Sequence, residues 1–275
     1  MGILNVTPDS FSDGGDHYAL DDALAHAQQM LAEGVDIIDV GGESTRPGSV
    51  RPSEDEELRR VVPVVAALAG MGLQVSVDTM RAGVAAAAIE NGAAIINDVS
   101  AGLADPDMLR VVADSTADYI AMHWRGHGSE MNQLAHYDDV TGEVMTELGA
   151  RIDAALSAGI TPERLIIDPG YGFAKDATQN WQLLADQEHF VSLGYRLLVG
   201  VSRKRFLGDL LRDGRGPRPV LHRDDAAVAI TTLSALQGAW AVRTHTVRQH
   251  RDAVEVVARL RQVWDAPEGH PSGLR

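Results

Sequence analysis

The sequence predicts a single-domain TIM-type (β/α)8 barrel, because eight short apolar runs recur about every 34 residues and each ends in a polar residue. Such continuous Val, Ile and Leu runs are typical of parallel strands whose outer face is covered by helices. The length of 275 residues suits one barrel, which takes about 250 residues. No G-x-G-x-x-G follows the first run, which disfavours the alternative, an open doubly wound sheet. We expect residues 1–264 to form the barrel and residues 265–275 to be a disordered tail.

The eight predicted strands are the apolar runs themselves, from GILNVT at the start of the chain to VRTH near its end. They cover residues 1–6, 36–40, 75–78, 95–99, 119–123, 165–168, 197–201 and 241–245. Because polar residues close these runs, we expect their side chains to gather where the strands end. In barrels of this type, the active site lies at that carboxyl end.

The segments between the runs carry helical periodicity and cap residues. They predict helices over 21–33, 53–70, 81–91, from 106, and over 140–158, 179–193, 204–211, 224–239 and 248–263. Asp21 and Ser53 are expected to cap the first two helices, and Gly34 to end the first. Pro63 should kink or break the second helix, because a proline inside a helix costs roughly 3 kcal/mol.

Composition excludes several classes of function. The net charge of −15 and the lack of a basic stripe disfavour a nucleic-acid partner. No apolar stretch approaches the ~20 residues that span a bilayer, so we expect no membrane partner. The sequence contains no cysteine, which excludes disulfides and thiolate chemistry, and a cytoplasmic protein is expected.

The two lysines of the sequence are predicted to lie at the active face. Only two of the 24 basic residues are lysines, Lys175 and Lys204, and both follow predicted strands, the sixth and the seventh. Cations at this face of an acidic protein suggest a bound anion, because distant surface charge is screened beyond ~8 Å. The alternative is that the scarcity of lysine reflects genome composition.

Three strand-end residues suggest a binding cup for a flat heterocycle. Asp78, Asn97 and Asp168 close the third, fourth and sixth runs. Two carboxylates and an amide suit adjacent N–H donors, because a carboxylate accepts hydrogen bonds and an amide both donates and accepts. The alternative is that each residue caps the following helix or turn.

Two long loops are expected to close over the active face. Asn5 ends the first run and opens a loop without periodicity, typical of a lid. Its side-chain oxygen suits a hard cation such as Mg²⁺, which keeps most of its waters and bridges phosphates. In the second loop, GGESTRPG, Thr45 and Arg46 face a possible phosphate, which Arg46 could meet in forked geometry. The alternatives are a loop-capping Asn5 and a solvent-facing Arg46.

An anion site is predicted after the seventh and eighth strands. Ser202 and Lys204 lie at a helix start, where backbone N–H groups bind anions. Arg243 and His245 alternate on the eighth strand, so their side chains share a face. Together with Lys204 they could hold a diphosphate, whereas the alternative is a solvated basic patch.

Three further residues complete the expected site region. Phe173 could stack on a planar ring or fill the core. His123 and Asp39 also end strands, but we assign them structural roles.

These motifs together resemble the bacterial dihydropteroate synthase family of the folate pathway. The matching strings are NVTPDSFSDGG (5–15), GGESTRPG (41–48), VDTMR (77–81), NDVS (97–100), DPGYGFAK (168–175) and SRKRFLG (202–208). The resemblance implies a Mg²⁺-assisted transferase that joins a dihydropterin-methyl diphosphate to p-aminobenzoate, forming dihydropteroate and pyrophosphate. It also implies a homodimer.

The resemblance implies a role for each matching residue. The implied pterin contacts are Asp78, Asn97, Met122, Asp168, Phe173 and Lys204. The implied diphosphate contacts are Thr45, Arg243 and His245, and the implied magnesium ligand is Asn5. The implied aminobenzoate side comprises Ser202, Phe11 and Pro47. Of these, Lys204, Asp78 and Asp168 are expected to be catalytic, because they stabilise charge as diphosphate leaves.

The sequence departs from the family pattern at two places. Met1 already lies in the first strand, so we expect a barrel without the hairpin that usually precedes it. The family's Arg-Val-His-Asp-Val reads Arg-Thr-His-Thr-Val over 243–247, which removes a possible helix cap or orienter of the histidine. Two other functions stay open, a corrinoid-linked methyltransferase with a similar cup and a non-catalytic pterin-binding paralogue.

Overall fold

The computed structural model describes residues 1–7, 16–43, 51–127, 131 and 133–266. Within these ranges, eight parallel strands follow one another in chain order, each paired with the next. They are β1 (Gly2–Asn5), β2 (Ile37–Gly41), β3 (Gln74–Asp78), β4 (Ile95–Asp98), β5 (Asp118–Met122), β6 (Leu165–Asp168), β7 (Arg196–Val199) and β8 (Ala241–Val242).

The last strand region pairs with the first and closes the barrel. The Ile3 N–H donates to the Thr244 carbonyl at 2.9 Å, and the Thr244 N–H donates to the Met1 carbonyl at 3.0 Å. The predicted (β/α)8 barrel is confirmed. The eighth strand is shorter than the predicted 241–245, because regular pairing with β7 ends at Val242.

Helices cover the outside of the sheet. They are α1 (Asp16–Ala32), α2 (Glu54–Gly70), α3 (Ala82–Glu90), α4 (Met108–Ala113), α5 (Val140–Ser157), α6 (Ala177–Ala185), α7 (Gln187–Val191), α8 (Arg205–Leu210), α9 (Asp224–Leu236) and α10 (Val247–Trp264). The single helix predicted over 179–193 is therefore two helices, which meet at Asp186. The Thr141 hydroxyl donates to the Asp186 carboxylate there at 2.6 Å.

The first two helices differ from the sequence predictions. The prediction that Asp21 begins the first helix is wrong, because α1 starts at Asp16. The predicted break at Pro63 is also wrong, since α2 runs through it. Pro63 lies on the exposed side of α2, whereas Val61 and Val65 are fully buried against the barrel. Tertiary burial of the apolar face outweighs the hydrogen bond that proline removes.

The barrel interior changes from apolar to polar along the strands. Near the amino ends, side chains from five strands and from Met1, which precedes β1, pack into one apolar cluster: Met1, Ile37, Ile95, Ile120, Ile166 and Leu198. At the carboxyl ends the buried residues include Asp39, Asp78, Asn97 and Asp168. The apolar layer fills the barrel interior near the amino ends, and a polar cavity lies at the carboxyl ends. No helix in the described ranges is long and apolar enough to cross a bilayer.

Candidate active site

A cavity of about 730 Å³ lies at the carboxyl ends of the strands. It brings together every sequence-predicted site residue that the structure describes: Asn5, Asp78, Asn97, Met122, Asp168, Phe173, Ser202, Lys204, Arg243 and His245. Four further predicted residues, Phe11, Thr45, Arg46 and Pro47, lie outside the described residues, as do residues 8–15 and 44–50 of the two predicted lid loops. We call Asp78, Asn97 and Asp168 the acid–amide cup, and Lys204, Arg243 and His245 the basic edge.

Arg243 joins the basic edge to the acid–amide cup. Its Nε donates to Asp39 Oδ2 at 2.6 Å, and its Nη2 donates to Asp78 Oδ2 at 2.7 Å. Asp39 is fully buried and also accepts from Ser76 Oγ at 2.6 Å and from Asn97 Nδ2 at 3.2 Å. Asp39 therefore fixes one member of each group.

The structural role assigned to Asp39 was too narrow, because this residue organises the cavity. The sequence did contain a signal, since Asp39 closes an apolar run in the same way as Asp78 and Asp168. Its partner Arg243 follows 204 residues later. Only the closure of the barrel brings the two together.

The two carboxylates of the cup are buried, and the pKa of each is raised. Burial raises the pKa of Asp78 to about 7, against the opposing effect of the Arg243 guanidinium. Burial likewise raises the pKa of Asp168, although Asp168 Oδ1 accepts the Gly170 N–H at 2.7 Å. In its ionised form, each side chain is an acceptor for N–H donors in the cavity.

Lys204 lies against an aromatic wall of the cavity. Its Nζ stands 3.9 Å from the centroid of the Phe173 ring, within range of a cation–π contact. Burial and, to a smaller extent, the charge of the nearby Arg243 lower the pKa of Lys204 to about 8. Phe173 combines both of its proposed roles, because it lines the cavity and also packs on the cluster of Met80, Val99 and Met122.

Ser202 orients His245. The Ser202 hydroxyl accepts the backbone N–H of His245 at 3.2 Å and pairs with its Nδ1 at 2.9 Å. Burial and the charges of Arg203 and Arg243 lower the pKa of His245 to about 3, so the ring is neutral at pH 7. Ser202 thus supplies the orientation that the missing Asp could have given. The expected loss of a helix cap is confirmed, since Thr246 precedes α10 without a capping hydrogen bond from its side chain.

The turn that carries Ser202 and Lys204 is held by residues that the sequence analysis missed. Arg203 adopts a positive φ of 61°, and its guanidinium makes a forked pair with Asp224 at 3.0 Å for both contacts. The buried Arg223 donates to the carbonyls of Arg203 at 3.0 Å and of Lys204 at 3.3 Å. These contacts fix the backbone of a residue type that disfavours this conformation.

The space beside Asn5 fits a magnesium ion that arrives with a phosphate. Gly41 borders this space, because a Cβ built on it would stand 3.5 Å from Asn5 Oδ1 and 4.0 Å from Asp78 Oδ2. No group of three or more His, Asp or Glu side chains in the described ranges could hold a metal. Mg²⁺ typically keeps several waters and binds through few protein oxygens plus substrate phosphates, which one asparagine oxygen suits.

Comparison with known proteins decides the family. A family model for pterin binding enzymes matches residues 1–245. The chain belongs to the pterin-binding enzyme family. Within this family, the dihydropteroate synthase of Mycobacterium leprae (strain TN) is 50% identical over 259 residues, which are 94% of this chain and 91% of that protein.

Solved structures of the pterin-binding family share the fold. The dihydropteroate synthase of Yersinia pestis in complex with a sulfonamide drug is 42% identical with a TM-score of 0.87, over 95% of this chain and 94% of that one. The Xanthomonas albilineans enzyme with 4-aminobenzoic acid is 45% identical with a TM-score of 0.87, over 97% and 93%. The same enzyme in complex with 7,8-dihydropteroate is 42% identical with a TM-score of 0.83, over 97% and 94%.

The titration of Asp78 and Lys204 predicts a narrow bell-shaped pH profile. Asp78 has a pKa of about 7 and is ionised above it, whereas Lys204 has a pKa of about 8 and is protonated below it. We expect kcat/KM for the pterin substrate to fall below pH 7 and above pH 8, because this ratio reports the free enzyme. Initial rates from pH 5.5 to 9.5 measure both limbs.

Two variants assign these limbs. Asp78→Asn should lower the rate and remove the acid limb, whereas Asp252→Asn, an exposed carboxylate on α10, should leave the profile unchanged. An acid limb that persists in Asp78→Asn would assign it to another group, such as the substrate phosphate.

Proposed function

We propose that the acid–amide cup holds the flat pterin head of the substrate and that the basic edge holds its diphosphate tail. The enzyme is a transferase with dihydropteroate synthase activity. It condenses (7,8-dihydropterin-6-yl)methyl diphosphate with p-aminobenzoate to give 7,8-dihydropteroate and pyrophosphate. The observation that carries the residue assignments is the meeting of the cup and the basic edge in one cavity.

The cup suits the edge of a pterin. Asp78 and Asp168 are buried carboxylates that accept the ring's N–H groups, and the Asn97 amide can both donate and accept. Such a site discriminates strongly, because a ring without matching donors would leave buried carboxylates unpaired. Met122 and Phe173 supply apolar surface beside the ring.

The basic edge suits the departing diphosphate. In the described part of the chain, Arg243 Nη1 has no hydrogen-bond partner, while Nε and Nη2 are held by carboxylates. Lys204 adds a partly buried ammonium, and His245 adds a neutral imidazole fixed by Ser202. By the family resemblance, we place Thr45 beside the tail, and Phe11 and Pro47 with Ser202 beside the aminobenzoate. We place Arg46 beside the tail because a guanidinium can meet phosphate in forked geometry.

The chemistry follows from this separation of charge. The bond between the pterin methylene carbon and the diphosphate oxygen breaks, and the electron pair leaves with the diphosphate. Positive charge then spreads into the ring, where Asp78 and Asp168 stabilise it, while Lys204 stabilises the leaving group. The neutral aryl amine of p-aminobenzoate forms the new C–N bond and then loses a proton to solvent or to the pyrophosphate.

Magnesium is proposed as the cation of the diphosphate. Among the described residues, Asn5 would supply the protein ligand, at the space next to Gly41 where a larger residue would place its Cβ. When bound, Mg²⁺ neutralises charge on the phosphate oxygens.

We further propose that the enzyme is a cytoplasmic homodimer. The absence of cysteine favours that compartment. The dimer is supported by an apolar surface on α9 and α10, which pack against each other. The exposed residues of this surface are Leu233, Leu236, Val256, Leu260, Val263 and Trp264. Several large exposed apolar side chains on two neighbouring helices are typical of an interface.

Replacing Lys204 tests the basic edge. We expect Lys204→Ala to lower kcat by a factor on the order of 10²–10³, the cost of removing one preorganised charge from a developing anion. Pyrophosphate release from both substrates and Mg²⁺ measures the rate. Arg110→Ala is the control, because Arg110 lies on α4, is not among the residues that line the cavity, and has a side chain that is 65% exposed. A Lys204→Ala variant as fast as Arg110→Ala would refute the assigned role.

An aspartate on the apolar surface tests the dimer. Leu233→Asp should give a monomer in analytical ultracentrifugation, because it places a charge in the centre of an apolar interface. Leu103→Asp changes an equally exposed leucine outside α9 and α10 and should leave the dimer intact. A wild-type monomer, or a Leu233→Asp dimer, would contradict the proposal.

A further inference from the structure

Lys175 takes no part in the chemistry proposed above, yet it lines the cavity, and burial lowers its pKa to about 7. It is 8% exposed, and its ammonium group has three partners. These are His123 Nδ1 at 3.0 Å and the carbonyl oxygens of Gly170 at 3.1 Å and Phe173 at 3.0 Å. An ammonium carries three N–H groups, so each partner accounts for one.

His123 anchors Lys175 to α5. The ring is buried, and burial together with the charge of Lys175 lowers the pKa of His123 to about 4. The neutral ring accepts from Lys175 at Nδ1 and therefore carries its proton on Nε2, which donates to Glu147 Oε2 at 2.9 Å. Glu147 also accepts from Arg125 Nε at 3.0 Å. A continuous polar chain thus runs from α5 to the loop after β6.

That loop is pressed between the end of β5 and Lys204. A Cβ on Gly170 would lie 2.4 Å from the His123 carbonyl oxygen, and one on Gly172 would lie 2.7 Å from Lys204 Cδ. Both glycines have positive φ, 71° and 76°. The loop therefore comes into contact with the Lys204 side chain, and the Phe173 ring faces the Lys204 ammonium at 3.9 Å.

We infer that Lys175 is a positioning residue, which ties the carbonyls of Gly170 and Phe173 to His123 and so sets the aromatic wall of the pterin pocket. The inference rests on the proposed function, since it assigns Phe173 to the pterin head. Lys175 acts through Phe173, because protein partners take all three of its N–H groups. Its effect should fall chiefly on the pterin head, because two of the three residues of the basic edge, Arg243 and His245, are held independently by Asp39 and Ser202.

A double-mutant cycle tests this coupling. Lys175→Met keeps an unbranched apolar stem but removes the ammonium donors. We expect it to raise the Kd of a dihydropterin lacking the diphosphate by about tenfold, the order of one aromatic contact. In a Phe173→Ala background the same change should add nothing, because interacting residues are not additive. The Kd of pyrophosphate, measured by calorimetry, should change by less than about threefold.

Each other outcome overturns the inference. These are unchanged dihydropterin affinity in Lys175→Met, an equal additional loss in the Phe173→Ala background, or a matching loss of pyrophosphate affinity. The wild-type rate of pyrophosphate release separates the two proposals, because an inactive wild type refutes the function and an active one leaves only the positioning role in question.

A second pair of variants serves if Lys175→Met does not fold. His123→Asn keeps an acceptor near the position of Nδ1, whereas His123→Leu removes it. We expect His123→Asn to bind dihydropterin within about threefold of the wild-type affinity. We expect His123→Leu to bind it at least about threefold more weakly than His123→Asn does. Equal affinities in the two variants would refute a role for the contact to Lys175.

Discussion

The cavity depends on one buried carboxylate, that of Asp39. It accepts hydrogen bonds from Ser76 on β3, Asn97 on β4 and Arg243 after β8. A buried carboxylate is costly unless such partners satisfy it, and once satisfied it fixes their positions. Asp39 thereby connects the acid–amide cup to the basic edge. Because Asp39 lies in β2 and Arg243 follows β8, their contact also links the first strands of the sheet to the last.

In the proposed function, this arrangement lets one cavity bind a neutral ring and a polyanion side by side. Asp78 shares Arg243 with Asp39, so the cup and the edge are in direct contact. His245 stays uncharged, and the Lys204 ammonium lies against the Phe173 ring. Little free positive charge therefore faces the proposed position of the pterin ring. In this proposal, the diphosphate separates from the methylene carbon, and positive charge forms on the ring while negative charge forms on the leaving group. The carboxylates and the cations that stabilise these charges are already in position, as in a preorganised site.

Much of this site was predictable from the sequence because barrel strands are short and buried. Apolar runs locate their ends, and the fold then brings Asp78, Asn97 and Asp168 together without further information. The contacts across the barrel were not predictable, since Arg243 finds Asp39 only after closure. Pro63 shows the same limit, because the local cost of a proline says nothing about the buried valines beside it.

Calorimetric titration of Asp39→Asn with a dihydropterin and with pyrophosphate tests the central role of Asp39. Asparagine keeps the shape of the side chain but replaces one carboxylate oxygen by an NH₂ group, which cannot accept from the surrounding donors. We expect the affinities for both ligands to fall at least about tenfold while the fold is retained, because a buried ion pair is broken. Asp21→Asn, an exposed carboxylate, should bind both ligands as the wild type does. Wild-type affinity for both ligands in a folded Asp39→Asn variant would contradict the account.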